Sequence, residues 1–216
     1  MKIYIIRHGE SEFNAHEGYF PKRDCEIELT EYGKECSYKA GVELSKVVGN
    51  NLKNVRVLVS PYVRAKQTFE EINKSLCIDE ENIFEEDMVA EHRYGIFHGS
   101  KDFADNQDRY PEEYAQYMEA ESKSAEFFVP KFLGESEFDV VKRAKIVIEA
   151  MFREAKEDGI EAFIIVSHST FLKCFIKAFY RKSLEWYIND PGPSNCSVQL
   201  INDKKYIGYV VGEPAK

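Results

Sequence analysis

Near the amino end, Arg7-His8-Gly9-Glu10-Ser11 brings a guanidinium, an imidazole and a carboxylate into one short stretch. An arginine offers a planar fork of donors to an oxyanion, and a neutral imidazole offers a nitrogen lone pair able to attack or to coordinate. The run Lys2-Ile3-Tyr4-Ile5-Ile6 just before it is apolar after its lysine and has strand length. The Arg-His pair therefore falls just past the carboxyl end of a buried strand, where open α/β sheets keep their ligands. Taken alone, the triplet reads equally well as a polar turn, because short motifs match by chance.

Other strand ends deliver similar groups. Val55-Arg56-Val57-Leu58-Val59 is a second strand ending at Ser60-Pro61, and the helix after it carries Arg64 in its opening turn. There the guanidinium and the helix dipole can face one anion, although a solvated helix arginine is the plainer reading of that residue by itself. Ala162-Phe163-Ile164-Ile165-Val166 is a further strand and ends in Ser167-His168-Ser169. Residues 83–99 read as a short extended piece and then a structured loop containing Glu91, Tyr94, Gly95 and Gly99.

The elements that must hold these groups are also visible. Thr30 caps a helix with an apolar stripe of Cys36, Ala40, Leu44, Val47 and Val48, and Gly33 in its first turn predicts close backbone packing. Ser136 and Asp139 form a capping box for the longest helix, whose apolar face carries Val141, Ala144, Ile148, Met151 and Phe152. Residues 12–28 read as an irregular loop from which Asn14 can return to the site, and residues 100–133 as an acidic, tyrosine-rich helical insertion acting as a cap. A helix over about 170–179 is followed by strands over 196–201 and 206–211, joined as a hairpin through residues 202–205. Strands alternating with helices predict an α/β fold: a three-layer αβα sandwich with a mainly parallel central sheet and a helical cap insertion, one domain over 1–216.

A formal charge of −9 over 216 residues speaks against nucleic acid or an anionic membrane as the main partner, but not against a local basic pocket. There is no charged-then-apolar leader and no apolar run of membrane-spanning length, so the expected setting is cytoplasmic. The five cysteines form no closely spaced pair, and the histidines show no metal-ligand spacing. No metal and no cofactor are expected. Monomer and homodimer both remain open.

In combination these stretches resemble the histidine phosphatase superfamily, which includes the cofactor-dependent phosphoglycerate mutases. Arg7 to Ser11 with Asn14 matches its R-H-G-E-S/T-x-x-N opening, and Leu29-Thr30 with Gly33 its LTxxG helix start. Ser60 to Thr68 matches SPxxRAxQT, Glu91 with Gly95 and Gly99 matches ExxxGxxxG, Gly134-Glu135-Ser136 matches GES, and Val166-Ser167-His168 matches VSH. Glu35-Cys36 replaces the usual Gln-Ala, and Ser169 stands where many members have glycine.

The resemblance implies that His8 is the nucleophile that takes a phosphoryl group, with Arg7, Arg64 and His168 neutralising its oxygens and Glu91 acting as general acid and then base. Neighbouring arginines should keep His8 neutral. Asn14, Tyr94 and Ser169 are the expected substrate contacts, and a small phosphomonoester is the expected substrate. Of Lys22, Arg23, His92, Arg93 and Tyr94, each can meet a second anionic group or face solvent. Mutases of the family carry an Arg-Arg pair in the insertion; this insertion is acidic and has none, which favours hydrolysis over isomerisation. A silent phospho-ligand-binding module and an open-sited phosphohistidine phosphatase are the other readings.

Overall fold

The computed structural model describes residues 1–49 and 54–215. Among these, strands β1 (Lys2–Arg7), β2 (Val55–Val59), β3 (Ile83–Glu85), β4 (Ala162–Ser167), β5 (Val198–Asn202) and β6 (Lys205–Val211) form one sheet in the order β3-β2-β4-β1-β5-β6. The strands from β3 to β1 are parallel, and β5 and β6 extend the sheet antiparallel. The helices are α1 (Glu12–Ala15), α2 (Glu31–Val48), α3 (Val63–Leu76), α4 (Asn106–Arg109), α5 (Pro111–Lys123), α6 (Glu137–Glu157), α7 (Ser169–Tyr180) and α8 (Leu184–Asn189).

The strand period of two sorts side chains onto two dry faces. Ile3 and Ile5 of β1, with Phe163 and Ile165 of β4, pack on α6 and α7 through Val140, Ala144, Val147 and Phe171. Tyr4 and Ile6, with Ile164 and Val166, pack on α2 and α3 through Leu44, Ala65, Phe69 and Ile72. Burial on both faces explains why these strands read as unbroken apolar runs. Each buried aliphatic or aromatic side chain contributes about 1.5–3 kcal/mol, so β1 and β4 are the strands least free to shift. Their carboxyl ends are where His8 and His168 emerge.

Because β4 lies between β2 and β1, the residues that follow these strands come out side by side at one edge. Backbone bonds continue the ladder past the strand ends, from His8 N to Ser167 O at 2.9 Å and from Ser60 N to Val166 O at 3.0 Å. The start of α2 is pressed onto the turn after His8. Thr30 caps it by accepting from Gly33 N at 2.9 Å, and a Cβ on Gly33 would lie 2.0 Å from the Glu10 carbonyl oxygen.

Several details differ from the sequence expectation. The buried stripe of α2 uses Ser37 and Gly41 in place of Cys36 and Val47: Ser37 packs against the turn after His8, where a Cβ on Gly9 would lie 2.6 Å from its Oγ, and α2 crosses α3 so closely that a Cβ on Gly41 would lie 2.7 Å from Ile72 O. The 12–28 stretch holds α1, with a Ser11–Asn14 capping box, and a 3-10 turn over Asp24–Glu26. Helix α8, capped by Ser183, was not foreseen. β5 begins only at Val198, since Cys196 has φ +60° and spends its N–H on Arg7 O and His8 O. The hairpin turn narrows to Asp203-Lys204, both at positive φ, a geometry that suits the twist of the flanking strands. In the 100–133 segment, few aliphatics are needed because Phe97, Tyr117 and Val129 form a small aromatic-rich cluster with Phe103, Tyr110 and Tyr114 packed on it.

Candidate active site

His8 is buried and engaged at both ring nitrogens. Its Nδ1 lies 2.7 Å from Gly9 O, and since a carbonyl only accepts, Nδ1–H is the donor and Nε2 keeps the lone pair. The Arg64 Nε–H points at that lone pair from 3.3 Å. Burial, then the guanidinium groups of Arg64 and Arg7, hold the His8 pKa well below its ordinary value, so the ring is neutral. The turn itself is clamped: Gly9 N donates to Thr68 Oγ1 at 2.9 Å, and Asn195 Nδ2 donates to His8 O at 2.9 Å and Gly9 O at 3.1 Å.

His168 stands beside it, fully buried, with ring centroids 5.0 Å apart. Its Nε2 meets Ser60 Oγ at 2.7 Å, while its Nδ1 has no partner among the described residues. Burial and the cationic groups around it, Arg64 first, hold it well below the usual histidine range. Arg7 donates from one terminal nitrogen to Pro193 O at 2.8 Å, and its buried Nε likewise has no partner among the described residues. Burial lowers the Arg7 pKa, with Glu91 pulling the other way. Arg64 is fixed by Asp24, whose carboxylate lies 3.0 Å from its terminal nitrogen, and by the face of Tyr62 4.9 Å beneath.

Glu91 is held by backbone donors. Its Oε1 accepts from His92 N at 2.8 Å and Phe171 N at 3.0 Å, and its Oε2 from Thr170 N at 3.3 Å, the latter two in the first turn of α7. The loop is carried by Arg143 of α6, which donates to Met88 O, Ala90 O and Glu91 O and forks onto the Glu135 carboxylate at 2.8 and 3.0 Å. Burial pushes Glu135 up, but Arg143 and Arg93 outweigh it and hold the carboxyl below its ordinary value.

Arg7, His8, Arg64 and Glu91 line one cavity of about 420 Å³ together with Asn14, Tyr94 and Ser169. His168 does not itself line the cavity; its ring centroid lies 5.0 Å from that of His8. Asn14 differs from a free ligand contact, because its Oδ1 already accepts from Ser11 N at 3.1 Å and from Asn195 at 3.3 Å. Of the basic and polar candidates, Lys22 pairs with Glu12 at 2.9 Å, Arg23 pairs with Glu26, Arg93 pairs with Glu135 and buried His92 meets Glu135 O, which leaves Tyr94 on the cavity.

Sequence reasoning gave no role to Ser60, Thr68, Asp24 or Asn195. Ser60 and Thr68 lay inside a recognised motif and carried a signal; Asn195, distant in sequence and after a Pro-Gly-Pro turn, carried none. Together the groups make a pocket suited to an anion: fixed cations and unmet polar atoms surround a neutral ring nitrogen that keeps its lone pair, with a carboxyl on the same wall.

The sequence profile of the histidine phosphatase superfamily (branch 1) matches residues 3–209. The phosphoglycerate mutase-like protein AT74 of Arabidopsis thaliana is 27% identical over 219 residues, covering 93% of this chain and 65% of that protein. A phosphohistidine phosphatase SixA homolog of Haemophilus influenzae is 40% identical over 89 residues, 39% of this chain and 49% of that protein. The match thus spans less than two thirds of the length of either relative. Among solved structures, the alpha-ribazole phosphatase from Shigella flexneri superposes with a TM-score of 0.75 over 100% of both chains at 17% identity, a likeness of fold.

Proposed function

The chain belongs to the histidine phosphatase superfamily, branch 1, and on that premise we propose that it hydrolyses small phosphomonoesters, without a metal, through a phosphohistidine on His8. The observation that carries this reading is a pair of buried atoms without a partner among the described residues, Arg7 Nε on the residue before His8 and His168 Nδ1 on the ring 5.0 Å from that of His8. Buried polar atoms are seldom left unpaired, and an oxyanion completes both.

In the first step His8 Nε2 attacks phosphorus and the bond to the ester oxygen breaks, while Glu91 in its acid form protonates the departing alkoxide. In the second, Glu91 as carboxylate takes a proton from water, the water oxygen attacks the phosphohistidine, and phosphate leaves with His8 Nε2 regaining its lone pair. Phosphoryl transfer depends mainly on positioning and charge stabilisation, which Arg7, Arg64 and His168 supply to the equatorial oxygens. The Arg64 Nε–H now aimed at His8 turns to the phosphoryl group on binding and frees the nucleophile. Tyr94 and Ser169 meet the substrate, and Asn14 acts mainly by bracing the turn. The 100–133 segment serves as the cap, and its acidic character favours hydrolysis over transfer between two phosphorylated positions. Unpaired Cys25, Cys36, Cys77, Cys174 and Cys196 suit a reducing compartment, and we assign the activity to the cytoplasm.

The test is phosphate release from a panel of phosphomonoesters, with EDTA present, by wild type and His8→Ala. Chelator-resistant release that the variant lacks is expected; isomerisation of 3-phosphoglycerate without release, or release that EDTA abolishes, overturns the reading.

A further inference from the structure

The cavity that holds His8 continues to a second cluster of charge, in which Lys131 and Glu137 are buried and Glu126 is exposed, contributed by the end of the 100–133 segment and the start of α6. Glu126, Lys131 and Glu137 all line it. Lys131, only 2% exposed, donates to Tyr117 Oη at 2.6 Å and to Glu126 at 3.0 Å, and its nitrogen lies 3.9 Å from Glu137 Oε1. The rings of Tyr117 and Phe103 cover it at 4.6 and 5.1 Å. Tyr117 and Glu126 take two of the three N–H donors of the ammonium, and Glu137, at 3.9 Å, is an ion-pair neighbour beyond hydrogen-bond reach.

Glu137 supplies the unmet acceptor of this cluster. It is buried, and its Oε2 has no partner among the described residues. Two carboxylates face a single ammonium here, so this end of the cavity carries a negative excess and an unmet acceptor. Burial raises the Glu137 pKa, with Lys131 opposing. Tyr94 links the two ends, since it lies within electrostatic reach of Glu91 on one side and of Glu137 and Glu126 on the other. Phe13, Phe97 and Phe103 supply apolar walls between. The remaining cation on the cavity, Lys101, sits at the exposed rim, bound to Asn14 O and lying over Phe13.

We infer that Glu137 is the specificity residue for the alcohol part of the substrate: it accepts a hydrogen bond from a hydroxyl or ammonium group remote from the phosphate. The inference rests on the phosphatase reading of His8 and narrows it to phosphorylated polyols and amino alcohols. Substrates with a second phosphate or a carboxylate are disfavoured by charge. A buried acceptor left unpaired discriminates strongly against partners that lack the donor.

The experiment compares kcat/KM of wild type and Glu137→Gln for glucitol 6-phosphate, phosphoethanolamine, 3-phosphoglycerate and fructose 1,6-bisphosphate. Wild type should prefer the first two over the last two by at least about tenfold, and the polyol and amine arms show which donor is used. Glu137→Gln, isosteric and checked for an unchanged circular-dichroism spectrum, should shrink that preference at least about fivefold, chiefly through KM. A wild-type preference for the acidic esters overturns the assignment without any variant, as does a preference that Glu137→Gln leaves intact. Absence of hydrolysis of every ester overturns the phosphatase reading itself, and the subsite with it.

Discussion

Replacing Ser60 by alanine removes a single oxygen, the one 2.7 Å from His168 Nε2, with both residues fully buried. The Ser60 hydroxyl oxygen accepts from Tyr62 N at 3.4 Å, and in the proposed mechanism it gives its own proton to His168 Nε2. A neutral imidazole that accepts at Nε2 must carry its proton on Nδ1, the atom left open beside His8. On that mechanism Ser60 selects the tautomer in which His168 can donate to the phosphoryl group. A hydrogen bond to a charged group contributes about 1.5–3 kcal/mol, and about 1.4 kcal/mol is tenfold, so Ser60→Ala should lower kcat/KM about 10- to 150-fold. The stranded Nε2 costs about 1–3 kcal/mol of stability, or roughly 2–12 °C in Tm for a chain of this size. The assay is steady-state hydrolysis of an aryl phosphate at a temperature well below either Tm, with Ser60→Thr as a hydroxyl-retaining control. If Ser60→Ala keeps kcat/KM within twofold of wild type, the hydroxyl does not set the His168 proton, and the argument is wrong.

Two further outcomes follow from the same geometry. Arg143→Met strands the buried Glu135 carboxylate and frees the carbonyls of the Glu91 loop, so it should cost about 3–5 kcal/mol in urea unfolding and lower kcat more than it raises KM; an unchanged kcat would separate Arg143 from the positioning of Glu91. His8 and His168 are both depressed by burial and by Arg64, so between pH 6.5 and 5.5 the unfolded chain takes up protons that the native state does not. Stability then falls as pH falls, by up to about 1 kcal/mol per histidine over that unit, and His168→Gln should roughly halve the slope these two produce; an identical slope in the variant would contradict the neutral assignment.

Much of this architecture was legible in the sequence because it is written in local terms. β1 and β4 show as unbroken apolar runs since both their faces are dry, and Thr30, Ser136 and Gly33 mark helix starts through capping chemistry and a backbone contact no side chain can share. His8, Arg64, Glu91 and His168 follow or face strand ends, which the alternation of elements gathers at one edge. What was not legible depends on contacts between distant residues. Asn195 reaches the His8 turn only because β5 lies beside β1, and nothing near Asn195 announces it. Ser37 and Gly41 replace Cys36 and Val47 in the core because the turn after His8 and the α2–α3 crossing select for small size, which a hydrophobic stripe does not record. Nothing in the sequence marks Lys131 or Glu137 as buried; Lys131 is covered by the rings of Tyr117 and Phe103, and Glu137 is its ion-pair neighbour, through the way the 100–133 segment folds onto the cavity.

The claim on which the rest stands is that His8 carries the phosphoryl group. Rapid acid-free quenching of the enzyme during turnover, followed by peptide mass spectrometry, reads it directly. A phosphorylated peptide containing His8, stable to alkali and labile to acid, is the result expected from wild type and not from His8→Ala. Turnover retained by His8→Ala, or a phosphoryl group trapped on any other residue, would contradict the account.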